Sequence, residues 1–362
     1  MTLRSFNFNA GPAAMPLAVL ESIRRDLVDY KGRGLSVMEM SHRSADFVEI
    51  AEKAESDLRT LLAVPQDYSV LFMQGGASAQ FALTVQNLDK KGEVAFANTG
   101  YWSRKAISVA ALTTRVREVA TLNESPTRHV PSVEQWGNAE GVSYLHVTDN
   151  ETIDGVQLSE LPAGTTPLVC DMSSSILSKP IDINRYDLIY AGAQKNIGPA
   201  GITVVIAKDA LIEDGQHNAS LAPAFSYKAM RDAGSMLNTP PTFAWYAAGL
   251  VFQWLLDEGG LSAIYQRNKR QAEKVYKAID ESPVFTNTIH EANRSIMNIP
   301  FQLVDPTREK AFLSGCQQRQ IIGLKGHKSV GGLRASLYNA VTDESVDALT
   351  NYIDEFAKVR AT

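Results

Sequence analysis

The chain has 362 residues, 44% hydrophobic and 21% charged, with a formal net charge of −5. That length suits one large and one small domain with ordinary globular cores, and the mild acidity argues against general affinity for nucleic acid. No apolar run is long enough for a membrane span, the N-terminus shows no signal-peptide core, and Cys170 and Cys316 lack metal-ligand spacing, which predicts no metal site and a cytoplasmic setting.

Near the N-terminus, Leu17, Leu20, Ile23 and Leu27 recur at helical spacing, and Phe47, Ile50, Ala51, Ala54, Leu58, Leu61 and Leu62 do so over a longer stretch. Ser69-Val70-Leu71-Phe72-Met73 reads as a strand that enters a small-residue turn, Gln74-Gly75-Gly76-Ala77-Ser78, ahead of a helical stretch from Phe81. Short apolar runs at 94–97, 143–147, 167–170, 188–190 and 202–206 alternate with helical stretches. This alternation predicts an α/β fold with a mainly parallel sheet covered by helices. A long helix is predicted from Pro241-Thr242 through Trp245, Leu250 and Trp254. Gly259-Gly260 breaks it, and Ile264, Ala272, Val275, Tyr276 and Ile279 lead into a smaller α/β domain that closes on a helix with Val346, Leu349, Ile353 and Phe356 on one face. The expected organisation is an N-terminal segment over 1–15, a large domain over 16–260 and a small domain over 261–362.

Lys195 is the residue with the most chemical content. It follows the buried-strand run Leu188-Ile189-Tyr190 and sits in Ala191-Gly192-Ala193-Gln194-Lys195-Asn196-Ile197-Gly198. Small neighbours leave room for a flat ring against the lysine. Burial lowers an amine's pKa, and the neutral amine is the form that condenses with an aldehyde. The pattern points to a Schiff-base lysine for pyridoxal phosphate; taken alone, it also suits a loop lysine that caps a strand end. Asp171, at the end of a second buried-strand run, can face a ligand in the crevice of an open sheet. An acid there would hold the cofactor's pyridine nitrogen protonated, which makes the ring a better electron sink. Taken alone, Asp171 also suits a turn or helix cap. The turn at Gly75-Gly76-Ala77-Ser78, between strand and helix, would present free N–H groups to a phosphate.

These segments together resemble the phosphoserine aminotransferases, fold-type-I pyridoxal phosphate enzymes of the class V aminotransferase family. The resemblance runs from Phe6-Asn7-Phe8-Asn9-Ala10-Gly11-Pro12 to the C-terminal helix. It includes Ser36-Val37-Met38-Glu39-Met40-Ser41-His42-Arg43, Gly100-Tyr101-Trp102, Asn150-Glu151-Thr152-Ile153-Asp154-Gly155, Gly234-Ser235-Met236-Leu237-Asn238-Thr239-Pro240-Pro241, Leu324-Lys325-Gly326-His327 and Gly332-Leu333-Arg334-Ala335-Ser336.

The resemblance implies roles for individual residues. Lys195 carries the cofactor and transfers the proton. Trp102 stacks on the pyridine ring, Thr152 hydrogen-bonds its phenolic oxygen, and Asp171 pairs with its nitrogen. Ala77, Ser78 and Gln194 surround the phosphate, and Asn238 and Thr239 reach the phosphate of a partner subunit. Some relatives carry Gly-Arg where this chain has Ala77-Ser78, so less side-chain charge surrounds the phosphate here. Arg334 binds the substrate's α-carboxylate through a planar fork. His42, Arg43, His327 and Lys328 bind its distal phosphate or γ-carboxylate; some relatives carry Arg where this chain has Lys328.

The activity implied is reversible amino transfer between glutamate/2-oxoglutarate and 3-phosphohydroxypyruvate/phosphoserine in serine biosynthesis. It extends in the family to 4-phosphohydroxy-L-threonine in pyridoxine biosynthesis. A homodimer with shared active sites is implied, and the N-terminal segment is expected to pack with the small domain. Two other readings compete. A cysteine desulfurase or a serine–glyoxylate-type transaminase would share the fold; the former needs a nucleophilic thiol on a mobile loop, whereas Cys170 lies on a predicted strand and Cys316 in a helical stretch. A non-enzymatic protein of the same fold would not need Lys195, Asp171, Arg334 and His42-Arg43 together.

Overall fold

The computed structural model describes residues 4–215 and 221–358. Residues 1–3 and 359–362, the ends of the two outer predicted units, lie outside the described residues.

In chain order the elements are β1 (Phe6–Asn7), α1 (Leu17–Asp26), α2 (Ala45–Leu62), β2 (Tyr68–Met73), α3 (Gly76–Leu88), β3 (Glu93–Asn98), α4 (Tyr101–Ala110), β4 (Arg115–Thr121), β5 (Leu145–Thr148), β6 (Leu168–Asp171), β7 (Leu188–Gly192) and β8 (Thr203–Lys208). They continue with α5 (Asp209–Glu213), α6 (Tyr227–Asp232), α7 (Thr242–Asp257), α8 (Gly260–Asp280), β9 (Phe285–Thr286), β10 (Asn298–Leu303), α9 (Glu309–Gln318), β11 (Ile321–Ile322), β12 (Leu333–Ser336) and α10 (Asp343–Lys358).

A seven-stranded sheet in the order β2-β8-β7-β6-β5-β3-β4 forms the centre. Strands β7, β6, β5, β3 and β4 pair in parallel, and β8 runs antiparallel to both β7 and β2. The antiparallel run of β8 is a departure that its apolar pattern does not reveal, because a strand buried on both faces reads the same in either direction. Strands β2, β5, β6 and β7 are buried at every position, which explains their largely apolar sequences. Strand β4, Arg-Val-Arg-Glu-Val-Ala-Thr, is one of the two edge strands, and its charges hid it from the sequence pattern.

Helix α2 is capped by Ser44, whose hydroxyl accepts from Phe47 N–H at 3.3 Å. It buries Phe47, Ala51, Ala54, Leu58, Leu61 and Leu62 in the main core, against α7. Helix α1 behaves differently. Val19 is its buried residue, and Leu17 and Leu27 of the predicted apolar face stand exposed.

A second core gathers Phe8, Ala272, Val275, Ile279, Phe301, Phe312, Leu349 and Ile353 around the antiparallel sheet β12-β10-β9. Strand β1 pairs in parallel with β11, which brings the N-terminal segment to this core. Helix α8 serves both cores: Leu261 and Ile264 belong to the first, and Ala272 to Ile279 belong to the second. We propose that the large and small units divide at the start of α8, which then acts as the strut between them.

Candidate active site

The parallel strands deliver their carboxyl ends to one edge of the sheet, the position where open α/β sheets bind ligands. Asp171 ends β6, and Gln194-Lys195 follow β7. The turn Gln74-Gly75-Gly76 links β2 to α3, the loop 149–155 follows β5, and Gly100 joins β3 to α4. Arg334 arrives from the small sheet, on β12 opposite Pro300.

Lys195 is half-buried, and its Nζ donates to Thr152 Oγ1 at 2.6 Å. It lies 5.9 Å from the centroid of the Trp102 ring, a cation–π approach. Desolvation holds the amine down at about 8; the Asp171 charge opposes this fall, and the Arg334 charge adds to it. Arg334 Nη1 donates to the Thr152 carbonyl at 3.2 Å, and its Nε is buried with no partner. Thr152 therefore joins the lysine to the arginine.

Asp171 is buried, and its Oδ1 accepts from Ser173 N–H at 2.8 Å. Desolvation raises its pKa, while Ser173, Lys195 and Tyr190 favour the charged form. Behind it, the Tyr190 hydroxyl shares a 2.8 Å hydrogen bond with His146 Nε2, and burial pushes the His146 pKa down to about 3. Asp171 is thus backed by a hydroxyl and a neutral imidazole. Neither Tyr190 nor His146 stood out in the sequence, where both read as strand residues.

The phosphate turn contains a small cradle. A Cβ built on Gly192 would lie 2.7 Å from Gln194 Oε1 and 3.5 Å from the Ala77 backbone nitrogen. Gly192 therefore leaves room where the Gln194 side chain meets the first turn of α3. Ser78 is exposed on that turn. Trp102 is half-buried, and its Nε1 has no partner. The cradle, the two partnerless donors and the amine fit pyridoxal phosphate with a carboxylate-bearing substrate: ring face, anion donors and nucleophile lie around one carboxyl edge.

The remaining predicted residues are placed more loosely. His327 faces the Tyr101 ring at 5.3 Å and hydrogen-bonds Ser329 Oγ at 2.6 Å. Desolvation lowers its pKa, helped by Arg334 and Lys328. His42 Nε2 is buried without a partner, and Arg43 is exposed. Among the described residues no hydrogen bond or ring contact joins His42 or Arg43 to His327, Lys328 or Arg334. Asn238 and Thr239 are exposed, and the Thr239 carbonyl accepts from Gln74 Nε2 of its own chain at 3.4 Å. Cys170 and Cys316 are both free and buried, so neither is a thiol on an exposed mobile loop. Among the described residues no cluster of His, Cys, Asp and Glu could hold a metal ion.

The sequence reading also passed over Glu151 and Asp154. Both are buried, and both accept from backbone N–H groups of α4. Burial and the nearby Asp154 push Glu151 up to about 7. Their signal was present: two carboxylates three residues apart, within the segment that carries Thr152.

Comparison with known proteins agrees with this geometry. The model of the family described as Aminotransferase class-V matches residues 5–349. A phosphoserine aminotransferase of Pseudomonas entomophila is 50% identical over 363 residues, covering 100% of each chain. Among solved structures, phosphoserine aminotransferase from Bacillus circulans subsp. alkalophilus superposes with a TM-score of 0.95 at 42% identity, covering 99% of both chains. Pyridoxal phosphate-bound phosphoserine aminotransferase from Trichomonas vaginalis gives 0.93 at 39% identity, covering 97% of this chain and 100% of that one. A family match over almost the whole length and an end-to-end relative sharing half its residues lead to one conclusion: the chain belongs to the class-V aminotransferases, in the phosphoserine aminotransferase family.

Proposed function

We infer that this chain is a pyridoxal phosphate-dependent transaminase that moves an amino group between glutamate and 3-phosphohydroxypyruvate, forming 2-oxoglutarate and phosphoserine. The observation that carries the reading is Lys195: an amine held down at about 8, 2.6 Å from Thr152 and 5.9 Å from the Trp102 ring, with Asp171 and Arg334 close enough to act on its charge.

When bound, pyridoxal phosphate supplies a carbonyl that captures the amino group and a protonated ring that takes up the electron pair left by the departing α-proton. The chain's residues do the rest. Asp171 would hold the pyridine nitrogen, Trp102 would cover the ring, and the Thr152 hydroxyl would donate to the phenolic oxygen. Ala77 N–H, Ser78 and Gln194 hold the phosphate. Arg334 orients the substrate by its α-carboxylate, the group that every substrate shares. Lys195 Nζ takes the proton from the substrate's α-carbon and carries it until it is returned, acting as base and then as acid. Two half-reactions with release of the first product between them give ping-pong kinetics.

His42, Arg43, His327 and Lys328 supply the distal anion pocket. One pocket must hold a phosphate in one half-reaction and a γ-carboxylate in the other, so several donors serve better than one fork. We propose that a second copy completes the site, with Asn238 and Thr239 reaching its phosphate cradle. Two observations support a homodimer. Within one chain His42 and Arg43 share no hydrogen bond or ring contact with His327 or Lys328. The stretch from Leu17 to Met38 also leaves Leu17, Leu27, Val28, Leu35 and Met38 exposed, more large apolar side chains than isolated surface residues explain. Among the described residues no helix is long and apolar enough to cross a membrane; on the two unpaired cysteines we propose a reducing, cytoplasmic setting. The test is formation of glutamate from 2-oxoglutarate and phosphoserine by the purified holoenzyme. Turnover with alanine or serine but none with phosphoserine would overturn the substrate reading. The same assay with 4-phosphohydroxy-L-threonine reads the wider pyridoxine-pathway role.

A further inference from the structure

Helix α4 carries Trp102, and its first backbone N–H groups have no acceptor within the helix. One loop takes three of them. Asp154 Oδ2 accepts from Tyr101 at 2.7 Å; the two oxygens of Glu151 accept from Trp102 at 2.8 Å and Ser103 at 2.9 Å. Both carboxylates are almost completely buried, at 0% and 1% exposure for Glu151 and Asp154. Asp154 is also ion-paired to Arg128. Gly100 lets the two segments touch: a Cβ there would stand 2.6 Å from Asp154 Oδ2 and from the Glu151 carboxyl carbon.

A single Ser or Asp cap is enough to start most helices. Two buried carboxylates on one helix start are costly to desolvate, so stabilising α4 is a poor account of them. Their position gives a better one. Between them lies Thr152, the acceptor of the Lys195 amine, and the helix they hold places the Trp102 ring beside that same amine. We propose that Glu151 and Asp154 are positioning residues that lock the Trp102 helix to the Thr152 loop, so that the indole face and the hydroxyl keep a fixed relation around Lys195. A ring that stacks on a cofactor needs its support settled before the cofactor arrives. The proposal rests on Trp102 stacking on pyridoxal phosphate.

The test is a double-mutant cycle on cofactor affinity. The Kd of pyridoxal phosphate is measured by equilibrium dialysis for the full chain, Glu151→Gln, Trp102→Ala and the double variant, with thermal unfolding of each cofactor-free protein alongside. Glutamine keeps the shape but turns an N–H2 group toward an N–H donor. Glu151→Gln alone should raise Kd about tenfold, and should change it less than twofold once Trp102 is alanine, because it acts through that ring. Equal losses in both backgrounds would overturn the lock and leave Glu151 a general structural residue. Trp102→Ala with unchanged Kd would remove the stacking reading and the lock with it. If Glu151→Gln cannot be recovered folded, Asp154→Asn, which keeps an acceptor for Tyr101, carries the same cycle, with an expected loss of about threefold that must also vanish without Trp102.

Discussion

Lys195 and Thr152 meet at 2.6 Å, and the same threonine accepts Arg334 on its carbonyl at 3.2 Å. The residue that holds the Lys195 amine is therefore the one against which Arg334, the arginine we propose to orient the substrate, rests. The proposed nucleophile and the proposed anchor share a support that belongs to neither of their own strands. A shift of the loop 149–155 would move both, which is a geometric reason for that loop to be buried and heavily hydrogen-bonded.

Lys195 should carry the cofactor. Borohydride reduction of the holoenzyme followed by peptide mapping should place the added mass on the Lys195 peptide, and a label on Lys105 or Lys325 would withdraw the assignment. Lys195→Ala should still bind pyridoxal phosphate non-covalently but lose proton transfer, raising the barrier by several kcal/mol.

In the cofactor-free chain the neutral fraction of Lys195 should grow as pH rises through about 8, whereas an ordinary lysine titrates near roughly 10.4. Labelling with an amine-specific reagent, read peptide by peptide across pH, measures this. Arg334→Met should move the midpoint up, because the Arg334 charge lowers it, and Asp171→Asn should move it down. Between about 8 and roughly 10.4 the unfolded chain holds more protons at this site than the folded one, so stability should rise with pH there, and Lys195→Met should flatten that slope. A midpoint shared with the surface lysines would contradict the burial account.

Removing Arg43 should lower kcat/KM about 10- to 100-fold, as expected for one charge-assisted hydrogen bond of roughly 1.5–3 kcal/mol. The loss should be larger for phosphoserine than for glutamate, because a phosphate offers more charge and more acceptor oxygens. Arg334→Ala should harm both substrates alike, since both present the α-carboxylate. Intact phosphoserine turnover in Arg43→Ala would return that arginine to the solvated surface.

Val28 is 79% exposed in the single chain. On a monomer surface Val28→Glu would be close to neutral. In a dimer interface it would bury an unpaired carboxylate and drive the subunits apart. Light scattering should show a dimeric parent and a monomeric, poorly active Val28→Glu variant. A parent that is monomeric and fully active would overturn both the shared site and the reach of Asn238 and Thr239.

Asp171→Asn should leave the fold intact and slow exchange of the substrate's α-proton, because an amide cannot hold the pyridine nitrogen charged. Unchanged exchange in the fully loaded variant would remove Asp171 from this role.

Much of this was legible in the chain itself. Strands buried on both faces must be apolar throughout, so β2, β6 and β7 announced themselves, and Asp171 at the end of β6 and Lys195 just past β7 could be placed at a ligand edge from the sequence. Helices α2 and α10 were legible because each buries one stripe at helical spacing, and α7 because it is a long run that is apolar nearly all round. Local pattern carries no information about direction or about what lies opposite. It could not say that β8 runs antiparallel, that Arg-Val-Arg-Glu-Val-Ala-Thr is an edge strand, or that Leu17 and Leu27 at the two ends of the predicted α1 face are left exposed within one chain. The same limit applies to the site. That Lys195 needs a partner is a matter of its own chemistry. That the partner is Thr152, that Thr152 also holds Arg334, and that Glu151 and Asp154 grip the Trp102 helix from either side of it are contacts between residues 43, 182 and 48–53 positions apart. Such contacts arise only when the sheet brings its carboxyl ends together, and no periodicity in the chain encodes them.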